Sequence, residues 1–259
     1  MRHVYLAPHL DDAVLACGRA IHHPTAAGKR VRVVTVFAGE AGQDTALSGF
    51  AREQHAPWGG LSQPMRRRRA EDVAALAVLG AEARHLDYRD AMYRTGPDGQ
   101  WLYRDLEAFF RDLHPVDPMA VDGARALADR LAEVVPQDGQ QVLYAPLGVG
   151  HHVDHQLVHA AARRLLARGF RVAFYEDYPY AEQGGAVDQA LSLAKAEGWL
   201  EEYVGVEAAD VTAKVSAVSH YRSQMATLFG GTEAMPGRVW AFAATHEPGA
   251  RLAERVWWP

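Results

Sequence analysis

His3-Val4-Tyr5-Leu6-Ala7-Pro8-His9-Leu10-Asp11-Asp12 is the stretch from which the rest of the chain can be read. The apolar run Val4 to Pro8 enters a core as a strand, then meets an imidazole and two adjacent carboxylates. Asp12 to Ala27 follows with a helical pattern that stops at Gly28. Val31 to Phe37 (VRVVTVF) is β-branched and nearly continuous, which suits a strand buried on both faces. Strand, helix and strand then recur. Arg66 to Leu79 is helical and ends before Gly80, Ala83 to Leu86 is a short strand, and Asp122 to Val135 is helical. Gln141 to Ala145 reads as strand, Val153 to Arg168 as helix, and Arg171 to Tyr175 as strand. This rhythm predicts an α/β chain with a Rossmann-like, mostly parallel sheet and helices on both faces. One domain over residues 1–259 is expected, with a motif-bearing core at 1–180 and a looser pattern at 181–259. In the latter, Val211 to Met225 reads as helix and Val239 to Ala243 as an apolar strand.

Length and composition bound the function. At 259 residues and 49% apolar content the chain can build a sizeable core. Its 27 basic and 32 acidic residues give a net charge of −5, which argues against a nucleic-acid partner. Cys17 is the only cysteine, so no internal disulfide is possible and a reducing compartment is favoured. The polar PHLDD run interrupts the first apolar stretch too early for a signal peptide. No apolar stretch approaches the roughly 18 residues of a membrane span. A cytoplasmic protein is the expectation.

In a parallel sheet, ligands bind outside the carboxyl ends of the strands. The first polar cluster stands there, and a second, GVGHHVDHQ at Gly148 to Gln156, follows the strand QQVLYAP in the same way. Together they bring His9, Asp11, Asp12, His151, His152, Asp154 and His155 to one sheet edge. Such a set is a metal-site composition, and three protein ligands with an open position suit catalytic zinc. The plainer alternatives are that Asp11 or Asp12 caps the following helix and that the second cluster is a solvated helix start. Two such clusters at matching topological positions favour the site.

The two motifs resemble those of the LmbE-like (PIG-L) family of metal-dependent N-deacetylases, Pro/Ala-His-x-Asp-Asp and His-x-x-His. Gly18, the strand leading to Gly39 and Glu40, Arg68-x-x-Glu71, the tract ending at Asp90, Lys214 and the run Tyr221 to Gln224 agree with that family. Ala13 and Gly150 depart from its pattern, which usually has glutamate and, in some members, tyrosine at those positions. The resemblance implies a hydrolase that removes an N-acetyl group from an amino sugar, N-acetylglucosamine among them, or from a glycoconjugate. It implies one zinc held by His9, Asp12 and His155, with Asp11 as general base. His152 would be a protonated oxyanion stabiliser oriented by Asp154. Arg68 and Asp90 would contact the substrate. A bound zinc lowers the pKa of its water to about 7, and Asp11 would then move the proton. The runner-up readings are a metal-dependent phosphoesterase or amidase and a sugar-binding pseudoenzyme.

Two segments remain, residues 38–65 and 91–118, which read as long excursions more often functional than idle. Gly39 to Pro64 and Tyr93 to Pro118 are expected to wall the site, with Trp58, Trp101 and Tyr103 offering flat faces to a sugar or anchoring the loops. A homo-oligomer contact there stays open. Of Arg66 to Arg69, Arg68 is expected to point inward and the other three to form a solvated run, opposing the helix dipole.

Overall fold

Residues 2–42, 47–58, 64–135, 139–205, 207–245 and 252–259 are described in the computed structural model of the chain. Among these residues seven strands share one sheet: β1 (Arg2–Ala7), β2 (Val31–Thr35), β3 (Glu82–His85), β4 (Gln141–Pro146), β5 (Val172–Tyr175), β6 (Leu200–Gly205) and β7 (Ala253–Trp258). Their order is β3-β2-β1-β4-β5-β7-β6. The first five strands pair in parallel, whereas β7 runs antiparallel to both β5 and β6. The order reverses about β1, whose two neighbours are β2 and β4. Both polar clusters therefore leave the sheet side by side at its switch point, where the strand ends open a crevice.

Among the described residues, ten α-helices surround the sheet: α1 (Asp12–Ala26), α2 (Gly49–His55), α3 (Pro64–Val78), α4 (Leu106–Phe109), α5 (Gly123–Val134), α6 (Val153–Ala167), α7 (Ala186–Leu193), α8 (Ala208–Val218), α9 (Met225–Phe229) and α10 (Met235–Ala244). Alternation along β1 explains why its run is so apolar. Tyr5 and Ala7 pack with α1, α3, α8 and α10, while Val4 and Leu6 pack with α5 and α6 on the opposite face. A third apolar cluster lies over the carboxyl strand ends, where Leu10 and Val153 meet Ala51, Trp58, Met92, Tyr103 and Phe109. The two excursions thus carry a small core of their own above the sheet. Positions 43–46 and 59–63 of the first excursion lie outside the described residues.

The carboxyl-terminal part differs from the expectation. Val239 to Ala243 is helical, within α10, not a strand. Its buried residues Met235, Val239, Phe242 and Ala243 follow helical spacing, and Pro236 stands in its first turn; a short apolar run carries both readings. Helix α8 ends at Val218, short of Met225, and Ser219 to Gln224 form a turn before α9.

Candidate metal centre

The β1–α1 junction sets the first half of the site. Helix α1 begins at Asp12, and the Asp11 side chain makes no capping bond, so the plainer capping reading fails for it. Asp12 Oδ2 instead accepts the His9 backbone N–H at 2.7 Å and lies 3.2 Å from His9 Nδ1. The other face of that imidazole is held by Asp154, whose Oδ2 is 3.0 Å from His9 Nε2. Asp154 is completely buried; it also accepts the Ala91 N–H at 3.0 Å and stands 2.7 Å from an Arg94 guanidinium nitrogen.

The β4–α6 junction supplies the second half. His152 stands at the start of α6, and its Nδ1 accepts the backbone N–H of Asp154 at 3.1 Å. One turn later, His155 Nδ1 meets Asp177 Oδ1 at 2.6 Å. Among the described residues His155 Nε2 has no hydrogen-bond partner, and it lies 3.4 Å from Asp12 Oδ2. Asp12 Oδ2 therefore sits between two imidazole nitrogens, each on a ring braced from behind by a buried carboxylate. That is the outer-shell arrangement of metal-bound histidine. His151 takes no part: its backbone is left-handed, at φ 63°, and its ring turns outward to Asp112.

Electrostatics point to a cation. Although burial opposes it, the carboxylates of Asp12 and Asp154 drive His9 well above the ordinary imidazole range. Burial likewise opposes, but Asp12 and Asp177 bring His155 up to about 9. Burial alone would raise Asp12, yet His155 and His9 hold it well below its ordinary value. The orphaned His155 Nε2 and the flanked Asp12 oxygen fit a divalent ion. Among the described residues, the triads whose ligand atoms all lie within 4.8 Å of one another are His9–His152–His155 and His9–Asp90–Asp154; Asp12 belongs to neither, and its oxygen instead touches the His9 and His155 rings one at a time. Asp90 and Asp154 are already engaged, the former by the Met92 N–H at 3.0 Å.

The remaining expected residues line the same cavity of about 140 Å³, among them Asp11, Arg68, Asp90 and His152. Asp11 is raised to about 6 by burial, against the pull of Arg68. Arg68 stacks over Trp58 at 4.9 Å and reaches Asp11 Oδ2 at 3.3 Å, while its Nε has no hydrogen-bond partner among the described residues. Burial, followed by the nearby His9, pushes His152 well below the imidazole range. Its neutral form, with Nδ1 accepting, carries the proton on Nε2. The Asp154 carboxylate orients His9, and only its backbone N–H orients His152.

The arginine run is less solvated than expected. Arg67 reaches Glu71 and the Trp58 carbonyl, and Arg69 bonds the Ala38 carbonyl and Asp87. Glu40 accepts the N–H groups of Met65 and Arg66, offsetting the positive charge at the start of α3. Trp58 and Tyr103 are buried, the latter donating to Asp117 at 2.7 Å, so loop anchoring prevails for Tyr103. Phe50, Leu106, Phe109 and Phe110 face the cavity instead, together with Trp58; Trp101 does not.

Comparison with known proteins follows the same residues. The family model described as PIG-L: GlcNAc-PI de-N-acetylase matches residues 4–166. The chain belongs to the PIG-L family. Among curated PIG-L relatives, 2'-N-acetylparomamine deacetylase of Streptomyces fradiae is 32% identical, covering all of this chain and 90% of its own length. The same activity in Niallia circulans is named for a protein 26% identical, over 88% of this chain and 82% of that protein. Among solved structures, the zinc-inhibited form of teicoplanin deacetylase Orf2 superposes with a TM-score of 0.81 at 30% identity, covering 99% of this chain and 97% of that one. The PIG-L match ends before Asp177, which the reading of the motifs missed. The sequence carries a signal for it: EDYPY at Glu176 to Tyr180 is a third polar run at a strand's carboxyl end. Arg94 carries no comparable signal, because it reaches Asp154 only through the fold.

Proposed function

We propose that this PIG-L chain is a zinc-dependent N-deacetylase, with one zinc per chain, acting on an N-acetylated amino sugar of a small glycoside or glycoconjugate. The observation that carries the reading is Asp12 Oδ2 set between His9 Nδ1 and His155 Nε2, with Asp11 buried beside them. His9, Asp12 and His155 hold the metal. When bound, it supplies a Lewis acid for the amide carbonyl and ionises water near neutral pH. Asp11, held in place by Arg68, takes the proton of the attacking water and delivers it to the departing amine nitrogen. Neutral His152 donates from Nε2 to the carbonyl oxygen as charge develops there, a contribution of about 10²–10³ in rate. Asp90 lines the cavity as a hydroxyl contact, and Arg68 acts on substrate through Asp11. The names of the curated relatives support an acetylated amino sugar as substrate.

The activity is ascribed to residues 1–259 as one unit, supported by the place of β7 within the sheet and of α8 against α1. A cytoplasmic site of action is part of the proposal, supported by the lone buried Cys17; no described helix is long and apolar enough to cross a membrane.

The test is acetate release from 2'-N-acetylparomamine and N-acetylglucosamine by the zinc-loaded protein, with metal content measured alongside. Acetate and free amine should appear in equal amounts at one zinc per chain. No acetate from either compound, with hydrolysis of a phosphate ester at two metals per chain, would favour the phosphoesterase reading.

A further inference from the structure

Beyond β5 the chain runs through Asp177, which braces His155, and three residues later places Tyr180 in the wall of the same cavity. The Tyr180 ring is pinned. It lies against Gly150, where an added Cβ would stand 2.7 Å from Tyr180 Cγ and 3.0 Å from its Cβ. Gly150 also has a φ of +83°, so both its conformation and its bareness admit this ring. On its other sides the ring is edge-on to His155 at 6.0 Å and to Phe110 at 5.6 Å between centroids. Those two rings also neighbour His152, at 5.2 and 5.6 Å. Tyr180 and His152 therefore flank one volume.

Its hydroxyl is a group that the packing of the ring does not account for. Buried tyrosines usually bond their O–H. Tyr5, Tyr103, Tyr175 and Tyr221 do so here, to the Ala20 carbonyl, Asp117, the Leu6 carbonyl and Asp72, whereas the hydroxyl of buried Tyr178 has no hydrogen-bond partner among the described residues; Tyr180 itself is half-buried in the cavity wall. The Tyr180 hydroxyl bonds to no described residue, although its ring is fixed. A held donor without an acceptor, on the wall that carries the metal ligands, is placed to meet a substrate oxygen.

We propose that Tyr180 donates its phenolic hydrogen to the acyl oxygen of the bound amide, alongside His152. This rests on the deacetylase reading. It makes Tyr180 a catalytic residue, because its contact strengthens as the carbonyl oxygen gains charge.

Tyr180→Phe removes one oxygen and keeps the ring packing. Acetate release from 2'-N-acetylparomamine should show kcat lower by on the order of 10²-fold with KM changed little, at unchanged zinc content and melting temperature. A kcat within twofold of the parent overturns the proposal, as does a raised KM with intact kcat, which would make the hydroxyl a sugar contact. Gly150→Ala should lower kcat by displacing the ring, and should have far less effect in the Tyr180→Phe background. Equal effects in both backgrounds count against the hydroxyl, since independent perturbations add. If the parent releases no acetate, the deacetylase reading fails, but calorimetry of acetate binding to the zinc-loaded proteins still reads the contact. Tyr180→Phe should then bind acetate at least fivefold more weakly, and equal affinity overturns the contact.

Discussion

Asp177 illustrates how one side chain serves both backbone and chemistry. Its Oδ2 accepts the N–H groups of Gly148 and Val149 at 2.8 Å each, fixing the β4–α6 turn, while Oδ1 sets the His155 ring. Replacing it with asparagine keeps the shape and removes the charge. Zinc affinity should fall by about 10- to 100-fold, as for other outer-shell partners, measured by competition with a chelator; unchanged affinity would show that His155 needs no bracing. His155→Ala should go further and lose the metal while the fold persists, read from metal content and circular dichroism. Asp11→Asn should do the reverse. It keeps a full equivalent of zinc but loses turnover by about 10²-fold or more, because an amide cannot accept the water proton. Near-normal turnover in that variant would exclude Asp11 as base.

Elements place these residues through contacts that a sequence pattern conveys unevenly. Helix α1 departs from helical geometry at Cys17, and the N–H groups just beyond, of Arg19 and Ala20, turn to the Glu254 carboxylate of β7 at 3.4 and 2.8 Å. Lys214 of α8 completes the cluster, 3.1 Å from Glu254, with its stem so close to Gly18 that a Cβ there would lie 2.8 Å from Lys214 Cγ. Gly18 and Lys214 were visible as separate features in the sequence; their contact was not, because nearly two hundred residues separate them. Helix α3 is held similarly. Tyr221 donates to Asp72 at 2.7 Å and Ser223 to Glu71 at 2.6 Å, which fixes the helix that carries Arg68. Tyr221→Phe should lower stability by about 1–3 kcal/mol, the cost of leaving buried Asp72 short of a donor, and denaturant midpoints would register it. The parallel half of the sheet was legible because β-branched runs and strand-end polar clusters are local signals. The antiparallel edge was not, because LEEYVG and AERVWW acquire their meaning only by pairing with each other.

At the scale of the molecule, the excursions place an apolar rim above a charged floor. Phe50 from one and Leu106 and Phe110 from the other face the cavity, whose floor holds His9, Asp11 and Asp12. Phe110→Ala should raise KM for the preferred acetylated substrate several-fold and leave zinc content intact; unchanged kinetics would remove that wall from substrate selection. Stability also has a molecular dimension. Burial would raise Glu254, yet Lys214 and Arg19 hold its carboxyl below the usual range. A depressed carboxylate stabilises the fold above its unfolded pKa of about 4.3, and that contribution is lost as pH falls through the lower folded value. Glu254→Gln should therefore be destabilised by about 3–5 kcal/mol near pH 7, as for a broken buried pair. Its difference from the parent should shrink in acid; melting temperatures from pH 7 down to 3 would show whether the gap closes.

Strand β7 lies between β5 and β6 although it follows both in the chain. During synthesis, then, β5 and β6 emerge from the ribosome as bare edges with nothing between them. Each presents unpaired backbone groups to any neighbouring nascent chain. Only when residues 253–258 arrive can both edges close, and the same segment brings Glu254 to the break in α1. A premature stop a few codons upstream of β7 would leave most of the metal ligands' immediate surroundings encoded. Its product would nonetheless be expected to collect in the insoluble fraction.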